Sequence, residues 1–240
     1  MAGFRIEWKF GKLPISDTAR DVFFGSAADR WANVITGWPK GAGGRPALDV
    51  FTIEVRMKDL NKKPDPNGSF ILAHVDVLDQ LKTGPAKHIP TRARISLDKL
   101  KFVDRFQQDG PATADLIAHE IGHALGFGET WAKRGLLREV GSTVFYTGKH
   151  AVAEYRSWTA ANKAKPGVPV EDTGGQNTAL EHWKENSSDT SRQGLRLTFE
   201  LMSGNLEHGD NRLTRLTVAA MKDLGYQVDM DAADDYRTHA

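Results

Sequence analysis

Alternation opens the chain: Phe4, Ile6, Trp8 and Phe10 are apolar while Arg5, Glu7 and Lys9 are charged, the period-2 pattern of a strand with one face on a core. The period then lengthens. Val22, Phe23, Ala27, Trp31, Val34 and Ile35, with Arg30 among them, recur at helical spacing behind Ser16 and Asp17. Either of those two can cap, so the pattern predicts an amphipathic helix over residues 17–36. The Gly-rich stretch from Pro39 to Pro46 reads as a loop, because it has neither the strand-then-helix context nor the Gly-Lys-Ser/Thr ending of a phosphate cradle. Residues 48–57, 70–77 and 92–97 are β-type runs, separated by the turn formers Lys62-Lys63-Pro64-Asp65-Pro66-Asn67-Gly68 and Thr83-Gly84-Pro85. Asp65 and Asn67 carry oxygens that a cation could use. A turn needs the same residues, and the spaced ligands of a calcium loop are absent, so calcium has no support.

Leu116, Ile117, Ile121, Ala124 and Leu125 return to a helical pattern. Asp109-Gly110-Pro111 and Thr113 supply its start, and Gly126 a left-handed stop. Residues 1–126 thus predict an N-terminal subdomain, a sheet packed against two helices. Beyond Gly126 the character changes. Helical patches at about residues 149–161 and 213–224 are separated by stretches rich in Gly, Asn, Ser and Thr, such as Glu171-Asp172-Thr173-Gly174-Gly175-Gln176-Asn177-Thr178. Loops this long are usually functional or held by something. Residues 127–240 are therefore expected to form a C-terminal subdomain, mostly loops and helices, in an α+β protein.

Composition narrows the partners. With 240 residues, 40% hydrophobic and 26% charged, the chain is an ordinary soluble globular protein. A net charge of +1 gives no reason to expect nucleic acid or an anionic membrane. No run approaches 18 apolar residues, so no membrane span is expected, and the N-terminus reads as a strand rather than an export signal. There is no cysteine. Disulfides and thiolate ligands are excluded, and any metal must use His, Asp, Glu or backbone oxygens. The lack of cysteine suits a cytosolic protein and a large, well-cored secreted one alike.

The short helix carries the chemistry. In His119-Glu120-Ile121-Gly122-His123 the two histidines are i and i+4, about 6 Å apart along the axis and on one face, so both rings can reach one ion. Glu120 is rotated about 100° away, which suits a carboxylate that takes a proton from a metal-bound water. The five residues form a zinc-hydrolase signature. The plainer reading is an exposed helix that happens to carry two histidines, and the apolar neighbours and helix stop argue against it.

A catalytic zinc usually takes three protein ligands and leaves the fourth position to water. Glu129 stands six residues after His123, where the motif His-Glu-x-x-His-x-x-Gly-x-x-His has its third histidine. Glu185 begins Glu185-Asn186-Ser187-Ser188-Asp189, which mimics a ligand segment of thermolysin-like enzymes. His182, in Leu180-Glu181-His182-Trp183, lies 56 residues beyond Gly126. His74, His88, His150 and His208 have no supporting neighbourhood. On the residues alone, three readings stay open: a three-histidine zinc peptidase, a Glu-ligated one using Glu185 or Glu129, and a catalytically inactive zinc-stabilised binding module. The last leaves Glu120 without a task, and sites built for stability usually fill the fourth position.

His119-Glu120-Ile121-Gly122-His123-Ala124-Leu125-Gly126-Phe127-Gly128 is followed in order by Phe145-Tyr146-Thr147-Gly148, Val168-Pro169-Val170-Glu171-Asp172-Thr173-Gly174-Gly175, His182-Trp183, Glu200-Leu201-Met202-Ser203-Gly204 and Asp223-Leu224-Gly225-Tyr226. Over roughly residues 113–236 this series resembles the leishmanolysin family of metzincin metallopeptidases, the bacterial members most closely. The resemblance implies a metzincin-like α+β fold, with a twisted mixed sheet and two helices N-terminal to an active-site cleft and the C-terminal lobe beyond it. It implies a zinc-dependent endopeptidase acting on polypeptides. His119, His123 and His182 would bind one zinc ion, Glu120 would be the general base toward zinc-bound water, and Met202 would form the Met-turn beneath the metal. By analogy, residues 92–97 would be the sheet edge that pairs with substrate, and residues 203–206 would help set side-chain preference.

The chain departs from the family in two ways. Eukaryotic members are rich in disulfides and carry a pro-segment cysteine that can block the zinc, and neither device is available without cysteine. Secretion is implied by the resemblance, whereas the chain as given opens without an export signal, which fits an excised mature piece or a member that stays inside the cell.

Overall fold

The computed structural model describes residues 4–39, 50–61, 70–108, 110–173, 179–185, 197–206 and 211–235. The opening strand β1 (Arg5–Phe10) alternates exposed charged residues with half-buried apolar ones, as its period requires. Helix α1 (Asp17–Val34) is capped by Ser16, whose Oγ accepts from the Ala19 amide at 3.1 Å. It buries Phe24, Ala27, Ala28, Trp31 and Val34 and runs directly into the short strand β2 (Ile35–Gly37).

Three further strands, β3 (Val50–Lys58), β4 (Ala73–Gln80) and β5 (Pro90–Asp98), join β1 in a mixed sheet of order β1-β3-β5-β4. The first two pairings are parallel and the last antiparallel. Phe51, Ile53 and Val55 of β3 and Ala93, Ile95 and Leu97 of β5 are buried, with Ile53 opposite Ala93 and Val55 opposite Ile95. Alternate residues face outward, where the Arg94 guanidinium donates to one Glu54 oxygen at 2.6 and 2.9 Å. The order corrects one expectation. Residues 92–97 lie in β5, bonded to β3 on one side and β4 on the other, so the edge beside the histidine-bearing helix is β4. Chain order misled because β4 precedes β5 in sequence and turns back antiparallel outside it.

Asp98 ends β5 and starts the next helix, its carboxylate accepting from the amides of Leu100 at 3.1 Å and Lys101 at 3.0 Å. That helix, α2 (Lys101–Gln108), leads to α3 (Gly110–Ala124), which carries the histidine pair and is buried almost throughout. The Trp31 indole of α1 donates to Ala118 O of α3 at 2.7 Å.

The second half holds more strand than expected. β6 (Leu137–Val140), β7 (Thr143–Tyr146) and β8 (Val168–Pro169) form a small antiparallel sheet. The predicted helical patches are α4 (Lys149–Trp158), with one 3-10 turn behind it, and α5 (Arg215–Leu224). The last strand, β9 (Gln227–Val228), pairs antiparallel with β2 and brings the chain back to the first half.

One apolar cluster runs through both halves, from Phe24 and Ile53 through Trp31 and Ile121 to Trp183, Met202 and Leu224. A polar tie adds to it. Arg30 of α1 donates to Asp115 of α3 at 2.7 Å, to Asn211 O at 2.6 Å and to Asp234 at 3.1 Å. Most of the expected loop at 39–46, the turn at 62–68, and residues 174–178 and 186–189 lie outside the described residues. No helix among the described residues is long and apolar enough to cross a membrane.

Candidate metal centre

Helix α3 sets His119 and His123 one turn apart on a single face, 7% and 6% exposed. Each ring is oriented by a main-chain oxygen: His119 Nδ1 lies 2.6 Å from Leu201 O, and His123 Nδ1 lies 3.1 Å from Phe127 O. A carbonyl oxygen only accepts, so each Nδ1 carries the proton and each Nε2 is left with a lone pair. Burial, and next the charge of His182, pushes His119 down to about 3. The same causes, in the same order, push His123 well below its ordinary value. Both rings are therefore neutral.

His182 arrives from the 179–185 segment and completes a triangle. Its Nε2 lies 3.1 Å from His119 Nε2 and 3.0 Å from His123 Nε2, and the latter two are 3.0 Å apart. Between His119 and His123 no hydrogen bond is possible, because both facing nitrogens are acceptors. Facing lone pairs at such a distance repel unless a cation lies among them. Nitrogens bound to one tetrahedral ion at 2.0–2.1 Å stand about 3.3 Å apart, close to what the triangle offers. The donor set, three buried imidazoles that can hold a metal ion, fits zinc.

Close packing brings the third ring in. After α3 the chain turns through Gly126 and Gly128, with φ of +104° and +72°. A Cβ on Gly128 would overlap the Glu181 carbonyl oxygen, so only glycine lets the 179–185 segment lie on the turn. The Glu171 amide donates to His182 O at 2.9 Å and the Trp183 amide to Met202 O at 3.0 Å. Met202 is fully buried beneath the helix. A Cβ on Gly122 would come within 2.5 Å of its Sδ and 2.9 Å of Trp31 Cζ2, so the glycine inside the histidine motif makes room for this methionine.

The cleft above the triangle is lined by Ala73, His74 and Val75 of β4 and by Glu120, Glu129 and Glu181. Glu120 is 6% exposed, and burial, helped by the charge of Glu129, pushes its carboxyl up to about 8. Burial and then Glu181 push Glu129 up to about 7. Glu129 is thus part of the wall, while its carboxylate is not in the group of atoms that converges. Glu185 turns away, accepting from the Asn205 amide at 2.7 Å. His150 lies in the first turn of α4, its amide donating to Asp223 at 2.9 Å. His88 is not among the residues lining the cleft, and His208 lies outside the described residues. Sequence reasoning missed His74 and Glu181 in the cleft wall, for neither carries a spacing signal.

The sequence model of the leishmanolysin family, peptidase M8, matches residues 90–236. The chain belongs to that family. Leishmanolysins are zinc metallopeptidases, and the matched region takes in β5, α3, all three histidines, Met202 and α5. Residues 1–89, which supply α1 and three strands of the main sheet, lie outside the leishmanolysin match. No curated protein and no solved structure matches the chain.

Proposed function

We propose that the chain is a zinc-dependent endopeptidase in which His119, His123 and His182 hold the ion and Glu120 is the general base. The observation that carries this reading is the triangle of Nε2 atoms, with the Nδ1 protons of His119 and His123 committed to carbonyl oxygens. A zinc ion held by neutral imidazoles keeps its full charge, polarises a peptide carbonyl and brings the pKa of water toward about 7. Glu120, next to His119 in sequence and facing the same cleft, is ionised once a neighbouring cation offsets the burial that raises its carboxyl to about 8; it then takes the proton of the attacking water and returns it to the leaving amine. Met202, packed under α3, fits the Met-turn of the metzincins. Edge strand β4 runs along the cleft with its outer side unpaired among the described residues, so an extended polypeptide can add to it by main-chain hydrogen bonds.

The test measures metal content and peptide hydrolysis on the same preparation, with and without a chelator. One zinc per chain, cleavage lost on chelation and regained with zinc is the expected result. Glu120→Gln is expected to keep its zinc and lose hydrolysis by several orders of magnitude, and a variant that retains both zinc and normal turnover would remove Glu120 from the mechanism.

A further inference from the structure

Glu200 is completely buried, and among the described residues its charge is met by hydrogen bonds rather than by a cation. One oxygen accepts from Thr217 Oγ1 at 2.6 Å, Thr214 Oγ1 at 3.0 Å and the Thr214 amide at 3.3 Å. The other accepts from the Met202 amide at 2.6 Å. Proton directions follow from the partners. An amide can only donate. The Trp183 indole, also only a donor, gives its proton to Thr217 Oγ1 at 2.9 Å, so the Thr217 hydroxyl proton is left to point at Glu200. This is an environment assembled for a carboxylate.

The Met202 N–H and the Leu201 C=O are the two ends of one peptide group. Its N–H end donates to Glu200 at 2.6 Å, and its C=O end accepts from His119 Nδ1 at 2.6 Å. Negative charge at the N–H end polarises the group and makes Leu201 O a stronger acceptor, because hydrogen bonds in series strengthen one another. A stronger acceptor holds the Nδ1 proton more tightly, orients the ring and raises the electron density on Nε2, as carboxylates behind metal-bound histidines do. The other oxygen leads through Thr217 to the Trp183 indole, one residue from His182. A single buried carboxylate thereby reaches the His119 ring by one arm and the segment that carries His182 by the other.

We propose that Glu200 is a positioning residue of the metal centre: it acts on His119 through the Leu201–Met202 peptide group and steadies the His182 segment through Thr217 and Trp183. The proposal rests on the three-histidine reading above. A carboxylate that only braced the turn would change folding stability and leave metal affinity and ring electronics alone.

The experiment titrates zinc into metal-free wild type, Glu200→Gln and Thr217→Val against a competing chelator, and follows the His119 Nδ1 and Met202 amide protons by NMR. Glu200→Gln is expected to weaken zinc binding about 10- to 100-fold and to move the His119 Nδ1 proton upfield. Thr217→Val is expected to weaken binding less and leave that proton in place. Unchanged affinity in folded Glu200→Gln, or weaker binding with an unmoved His119 proton, would overturn the proposal. If the Gln variant does not fold, wild type decides: the Met202 amide and His119 Nδ1 protons shift together as zinc binds, and a stationary Met202 amide overturns it. All these outcomes leave the zinc reading standing, whereas wild type without zinc binding would overturn both.

Discussion

His119 and His123 stand one turn apart on a buried helix, whereas His182 belongs to the stretch 179–185, which forms no helix or strand of its own beyond the bridges of Trp183 to Val170 and Ser203. The first pair is placed by backbone periodicity, since any helix would set i and i+4 on one face. The third ring is placed by tertiary contacts: glycine under Glu181, main-chain bonds to Glu171 and Met202, and Trp183 packed among Phe127, Trp131 and Tyr146 at centroid distances of 4.9–5.4 Å. A three-histidine cluster assembled this way has one side that is robust and another that depends on exact fit.

Removing the third ring gives the largest contrast. His182→Ala is expected to lose bound zinc and all measurable hydrolysis, while Glu185→Ala and Glu129→Ala keep one zinc per chain. Zinc content by atomic absorption checks this, and loss that followed Glu129 or Glu185 instead would reassign the ligand. Gly128→Ala comes next. It forces a side chain into the left-handed region and into the Glu181 backbone, an expected loss of roughly 2–4 kcal/mol in chemical unfolding together with weaker zinc binding. On the robust side the equivalent change is milder. Gly122→Ala meets the flexible end of Met202 and the edge of Trp31, so it should cost about 1–3 kcal/mol with zinc stoichiometry intact. If Gly122→Ala proved costlier than Gly128→Ala, the contrast between the two sides would be wrong.

A last contrast concerns pH. Burial pushes the Glu200 carboxyl up from 4.5 to about 7 despite its hydrogen bonds. The folded protein then binds this proton more tightly than the unfolded chain does. The contribution to stability falls as pH rises from about 4.5 to about 7 and is constant above. Glu200→Gln removes the titration. The difference in unfolding free energy between metal-free variant and wild type should therefore drift toward the variant across that window. A flat difference would mean that Glu200 titrates alike in both states.

Much of the framework was legible because long elements carry a period. The opening alternation, α1 with a cap at Ser16 or Asp17 although its last two expected residues open β2, the three strands of the main sheet and α3 with its stop at Gly126 all follow the apolar pattern. Helix α2 was not, because its eight polar-rich residues depend on the Asp98 carboxylate for a start. The strands β6, β7 and β8 escaped because two to four residues are too few to display alternation. The edge of the sheet was misplaced because order along the chain says nothing of order in space. At the metal centre, spacing alone supplied the first two histidines, and the third needed the resemblance to leishmanolysins. Glu200 opens the motif around Met202, but its contacts were not legible, for they come from residues 14 and 17 positions later that fold back onto it.

The pairing of β2 with β9, and the grip of Arg30 on Asp234, have a consequence for biosynthesis. Residues of α1 and β2 are held by partners about 200 residues later in the sequence, and the carboxylate beneath the centre is satisfied only once Thr217 has been made. During translation the growing polypeptide carries the histidine motif long before these partners emerge from the ribosome. The histidine motif therefore has to wait for distant sequence before the support beneath it can close, and a ribosome-bound chain that ends short of Thr217 holds two of the rings without that support.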